Sequence, residues 1–172
     1  WKFAYEKDGI GIYNRESIGT DLKEFKGEVT VSASLTSIIS VIADIDNFAN
    51  WAFQTRKAEL LKTEGNTQYV HVITKGQWPI LDRDIVYKCQ MFQNPQNKVV
   101  TISMDGLSNF IPVQKDIVRM PSANGLFILT PMEKNKVKIT FQLSANPGGQ
   151  IPLWVSNLVA NDSPFVTLNN LR

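Results

Sequence analysis

The stretch from 136 to 166, KVKITFQLSANPGGQIPLWVSNLVANDSPFV, changes its period halfway along. Up to residue 145, Val137, Ile139, Phe141, Leu143 and Ala145 alternate with Lys136, Lys138, Thr140, Gln142 and Ser144. A period of two marks a strand with one apolar and one wet face. Beyond Asn146-Pro147-Gly148-Gly149, residues Ile151, Trp154, Val155, Leu158 and Val159 recur at i, i+3, i+4, i+7 and i+8, and Phe165 with Val166 extends them. That is one stripe of an amphipathic helix. Pro164 removes a hydrogen bond to the Ala160 carbonyl, so the pattern predicts a kink or restart there, with Asp162 or Ser163 capping the second half. The glycine pair is the hinge, and it predicts a terminal helix laid across a sheet.

The rest of the chain supplies the sheet. Phe25, Gly27, Val29, Val31 and Ala33 oppose Lys26, Glu28, Thr30 and Ser32. Turn signals fall at Lys7-Asp8-Gly9, Glu64-Gly65-Asn66, Asn94-Pro95-Gln96-Asn97 and Ser122-Ala123-Asn124-Gly125, at spacings that imply hairpins and an antiparallel meander. Leu35, Ile38, Ile39 and Ile42 form a helical stripe after Ser34, a predicted N-cap, and a short second piece runs from Asp46 toward Trp51. The expected fold class is α+β, in one domain spanning residues 1–172.

Composition narrows function. A chain of 172 residues buries about 70% of its unfolded surface. Its formal net charge of +2 is too small for a nucleic-acid footprint or a polybasic membrane patch. Cys89 is the single cysteine, which excludes a disulfide framework and a cysteine-based zinc site. No apolar run approaches the roughly 20 residues that span a bilayer as a helix. A start at Trp1 is what removal of an export signal, or trimming, would produce.

Motifs for catalysis are thin. His71, the only histidine, shares a strand face with Tyr69 and Ile73, opposite Val70 and Val72, and alternation does not say which face is inside. Without identifiable partners it reads as a structural or surface histidine. Cys89, in the company of Ile85, Tyr87 and Met91, reads as a small hydrophobe. No phosphate-cradling or dinucleotide glycine motif is present, and no cofactor or metal site is expected. The apolar faces offer Tyr87, Met91, Ile102, Met104, Phe127, Leu129, Ile139 and Phe141 opposite the terminal helix. Periodicity does not distinguish a filled core from a hollow one. One segment remains unexplained, QWPILDRDIV from 77 to 86, where Trp-Pro-Ile-Leu precedes three charges in a stretch whose proline argues against regular structure.

Several segments, in order, resemble the START family of lipid-transfer domains, in particular its bacterial single-domain members. They are Asp8-Gly9-Ile10-Gly11-Ile12-Tyr13-Asn14-Arg15, Glu24-Phe25-Lys26-Gly27, Asp44 to Trp51, and Trp78-Pro79-Ile80-Leu81-Asp82-Arg83-Asp84. Val118-Arg119, Leu129-Thr130-Pro131 and Pro147 to Asn157 complete the set, which covers nearly the whole chain. The resemblance implies the helix-grip fold, a curved antiparallel sheet around the terminal helix, enclosing a tunnel for one lipid. It implies ligand contacts from Tyr87, Cys89, Met91, Met104, Phe127, Phe141, Trp154 and Leu158. It implies an omega-type lid of Trp78, Pro79, Ile80 and Leu81, closing with Ile151 and Val155 on the terminal helix, and Arg83 and Asp84 anchoring the loop.

Sterol-binding members bury an acid and a base on the strands flanking that loop. Here Val70 or His71 precedes it and Lys88 or Cys89 follows, with no buried carboxylate at those positions, so sterol specificity is not implied and a fatty acid, phospholipid or other amphiphile stands at least level with a sterol as the expected ligand. Arg119 either meets an acidic head group or faces solvent. The expected activity is noncatalytic binding, with transfer of a hydrophobic ligand and transient contact with a membrane surface. The alternative is a helix-grip enzyme of cyclase/aromatase or hydrolase type. The chain is expected to be monomeric, to bind no nucleic acid, and to be periplasmic or secreted, with the cytoplasm as the alternative.

Overall fold

The computed structural model describes residues 1–16, 23–76, 78–149 and 153–172, of which 153–161 are described as backbone. The strands are β1 (Lys2–Lys7), β2 (Ile10–Glu16), β3 (Lys23–Val31), β4 (Thr55–Glu64), β5 (Thr67–Thr74), β6 (Asp82–Gln93), β7 (Val100–Leu107), β8 (Ile117–Arg119), β9 (Ser122–Met132) and β10 (Lys136–Asn146). Helix α1 (Leu35–Ala43) and a 3-10 helix, η1 (Ile45–Asn50), lie between β3 and β4, and α2 (Leu153–Leu171) ends the chain. Strand order is β1-β2-β3-β10-β9-β7-β6-β5-β4, all antiparallel, with β8 alone parallel to β6. This is the helix-grip arrangement, a curved sheet holding a terminal helix.

Local signals explain most of these elements. Ser34 caps α1 by accepting from the Ser37 N–H at 3.1 Å, and the Asp44 side chain caps η1 through the Asn47 N–H at 3.3 Å. Residues 122–125 differ from expectation. They form no turn but open β9, paired to β10 from Ser122↔Asn146 onward. Gly125 is tolerated in the strand because it sits opposite Met104, whose Cε fills the space that a Cβ would need.

Registers put one inward row across six strands: Ile12, Gly27, Phe141, Phe127, Ile102 and Met91. Helix α2 packs on β2, β3 and β10. It lands at Gly27, where a Cβ would stand 2.6 Å from Leu168 Cδ1 and 3.2 Å from Pro164 Cβ. Pro164 does not break the helix, which is continuous from Leu153 to Leu171. The restart expected from sequence is absent because the proline ring is buried against β3, and tertiary packing outweighs local propensity.

The outer face of the sheet is covered too. The segment 108–119 crosses back over β5 and β6, and Phe110 stacks on Tyr69 at 4.7 Å between centroids. Beneath it lies Asp84, 0% exposed. Arg119 donates from Nε to Asp84 Oδ1 at 2.8 Å and from Nη2 to Oδ2 at 2.9 Å, and His71 Nε2 lies 2.9 Å from Oδ2. Arg119 Nη1 also donates to the carbonyls of Ser108 and Ile111, at 2.6 and 2.9 Å, so one side chain ties the covering segment to the sheet. Burial alone would raise the Asp84 carboxyl, but hydrogen bonds from Arg119 and His71, together with their charge, outweigh it and hold the group below the usual carboxylate range.

Gly27→Val should lower the unfolding free energy by about 1–3 kcal/mol in urea titration, because the added carbons displace Leu168 and Pro164. Asp84→Ala should cost about 3–5 kcal/mol, since it strands the buried Arg119 charge. A carboxyl whose folded pKa is depressed stabilises above its unfolded value of about 3.9 and loses that contribution as pH falls through the folded value. The parent should therefore lose stability below about pH 4 more steeply than Asp84→Ala does.

Candidate ligand-binding cavity

Alternation along β5, β6 and β7 decides which side chains face inward. Val70↔Tyr87, Gln68↔Cys89 and Met104↔Cys89 are register pairs on the inner side, whereas Ile73↔Asp84 and His71↔Val86 are outward. Between these strands and α1 with η1 lies a cavity of about 330 Å³, at the lower end of the roughly 300–1,000 Å³ of small-molecule pockets. Ile39, Ile42, Ile45 and Phe48 form its roof, and Val70, Val72, Tyr87, Cys89, Ile102 and Met104 its wall. Met91, Gln68, Gln90, Thr63 and Asn66 line one end, where Met91 is half exposed.

Two of these lining groups titrate, and both are held neutral. Burial, with a smaller contribution from Asp105, pushes the Cys89 thiol up to about 12, and burial raises the Tyr87 phenol above its ordinary value. A thiol in this state is no nucleophile at neutral pH. Among the described residues no cluster of histidine, cysteine and carboxylate side chains could hold a metal.

Four of the residues named from sequence, Tyr87, Cys89, Met91 and Met104, line this cavity. Phe127 and Phe141 do not. They belong to the adjoining core, stacked at 4.5 Å between centroids, with Phe127 also meeting Trp51 edge-on. Arg119 is a second correction: pairing with β6 in register Asp84↔Arg119 turns it outward, where it is engaged by Asp84 rather than by a head group or solvent. Ile151 lies outside the described residues, as do the side chains of Trp154, Val155 and Leu158.

Gly76 and residues 78–82 are drawn close together. The Gly76 N–H donates to Asp82 Oδ1 at 2.9 Å, Arg56 pairs with Asp82, and Arg83 Nη1 donates to the Leu81 carbonyl. A Cβ on Gly76 would collide with the carbonyls of Ile80 and Leu81. The loop leaves Trp78 90% exposed and Leu81 50% exposed. Its closure therefore depends on Asp82, with Arg83 at its base. Asp84 instead holds the outer segment from beneath it, on the face away from the cavity.

Sequence reasoning missed Val70, Val72, Ile45 and Phe48 as lining residues. Strand β5 is buried on both faces, Val70 through Ile73, so its alternation carried no inside-outside contrast. The η1 segment was read as a short helical piece, but it is too short for a stripe to show which of its residues face the sheet.

No family model matches the chain. It is 33% identical to a STAR-related lipid transfer protein from Xanthomonas axonopodis of known structure, with a TM-score of 0.91 over all of this chain and 96% of that one. It is 25% identical over 167 residues to the phosphatidylcholine transfer protein of Mus musculus, across 94% of this chain and 77% of that protein. A Streptomyces aromatase/cyclase shares the fold more distantly, at 12% identity and a TM-score of 0.58 over 86% of this chain and 90% of that one. Because the Xanthomonas axonopodis protein is 33% identical over all of this chain and 96% of its own, the chain belongs to the START family of STAR-related lipid-transfer domains.

Proposed function

We propose that this domain binds one lipid or similar amphiphile in the cavity between α1 and strands β5–β7, and exchanges it with membranes when the 76–82 loop moves away from α2. The observation that carries this is the cavity itself, walled by Val70, Val72, Ile102 and Met104 with its ionisable members neutral. Relatives named as lipid-transfer proteins support it. Trp78 and Leu81 are the surface that would meet a bilayer, since tryptophan suits an apolar-to-wet boundary.

Energetics suit exchange. Burying a methylene recovers about 0.8 kcal/mol, so a chain of about fifteen carbons recovers on the order of 12 kcal/mol from water. A bilayer offers nearly the same, and the rate is then set by loop opening. The competing enzyme reading draws on the aromatase/cyclase likeness, but Tyr87 and Cys89 supply no acid or base poised near neutral pH among the described lining residues.

Native mass spectrometry followed by solvent extraction tests the binding. A one-to-one adduct that extracts as a lipid is the expected result; failure to load with any added amphiphile overturns the proposal. For the loop, Trp78→Ala should slow transfer between vesicles several-fold while leaving equilibrium binding within about twofold. Transfer at the parent rate would remove the lid role from that residue.

A further inference from the structure

Strand β6 carries a second arginine whose environment differs from that of Arg119. Arg83 shares the inward parity of Ile85, Tyr87 and Cys89, and the register from Thr67↔Gln90 to Thr74↔Arg83 runs without a bulge, so it points to the ligand side of the sheet. It is 8% exposed. Of its five N–H donors, the Leu81 carbonyl receives one from Nη1, and Nε has no partner. Among the described residues it forms no ion pair. Its two neighbouring carboxylates are already engaged, Asp82 by Arg56 and Asp84 by Arg119 and His71. The fork lies beside the turn that leads to α2: a Cβ on Gly149 would stand 4.0 Å from Nη2.

A buried guanidinium with unfilled donors is costly to maintain and is relieved by an anion. Its planar fork matches a carboxylate or phosphate bidentately. From Arg83 to Cys89 the strand covers roughly 20 Å at about 3.3 Å per residue; between Arg83 and Tyr87 in the cavity wall lies Ile85, fully buried with Met120 and Ala123, so a ligand that reaches both must part that packing. We propose that Arg83, set between the 76–82 loop and the Gly148–Gly149 turn, receives the anionic head group, carboxylate or phosphate, of the amphiphile whose chain occupies the cavity.

This rests on the cavity being an amphiphile site, and the test separates the two. Displacement of a neutral solvatochromic dye is measured with palmitate, hexadecyl phosphate and hexadecanol, alongside inorganic phosphate, for the parent and for Arg83→Met and Arg83→Lys. The parent should bind at least one of the two anionic amphiphiles tenfold or more tighter than hexadecanol, and which one names the head group. Arg83→Met should lose that preference with hexadecanol affinity changed less than about twofold, and Arg83→Lys should keep part of it. Because Met removes an unpaired buried charge, this variant should also melt no lower than the parent when empty. Equal affinity of the parent for all three amphiphiles, or a preference that survives in Arg83→Met, overturns the assignment. Tight phosphate binding without chain dependence overturns it as well, leaving a free-anion site. If hexadecanol and both anions all fail to bind the parent, the amphiphile reading of the cavity falls first.

Discussion

One nineteen-residue helix is set against a ten-stranded sheet, and the mismatch of sizes governs the molecule. Such a helix is about 28 Å long and about 10 Å wide, while the nine strands that lie side by side, at about 4.8 Å apart, extend about 38 Å. The helix cannot cover that width, and it is seated on β2, β3 and β10 by the gap at Gly27. The remaining inner surface, β5 to β7, is roofed by α1 and η1, which are too short to fill the space beneath them. A cavity is the consequence, and its apolar wall makes an apolar occupant the favourable one.

A hollow inner side puts a demand on the outer one. Strands β5 and β6 have the cavity rather than packed core behind part of their length, so their rigidity must come from the face that usually meets water. Asp84, Arg119 and His71 meet that demand beneath the 108–119 segment, in a network where the carboxylate oxygens and the guanidinium each find several partners. A buried ion pair seldom adds much net stability, but it fixes one geometry, because any slip leaves a charge without a partner. Here the geometry it fixes is the start of β6, where the 76–82 loop is rooted.

Adjacent residues on that strand thus have opposite duties. Asp84 faces out and is saturated with donors; Arg83 faces in and keeps donors unfilled. Loop closure falls to Asp82, which accepts from Gly76 and pairs with Arg56. The division follows from the two-residue period of a strand: neighbours cannot share a partner on one side of the sheet.

The fold was legible in sequence because its signals are local. The alternation of Val137 to Ala145, the Ser34 cap and the Asn146 to Gly149 turn each need only their own neighbours to act, and each appears where expected. So does the membership of Tyr87, Cys89, Met91 and Met104 in the lining of one cavity, since a strand's parity is local too. What tertiary structure alone decided were the facts that depend on distant segments. Phe127 and Phe141 went to core rather than cavity because Trp51 and each other fill the space around them. Arg119 turned outward because β8 pairs in parallel with β6, a contact across 35 residues that no period announces. Pro164 stayed within a helix because Gly27, over a hundred residues earlier, leaves it a seat. Sequence by itself determined which residues alternate and which recur; the pairing of strands in space decided which face is hollow, because burial is a property of what lies opposite.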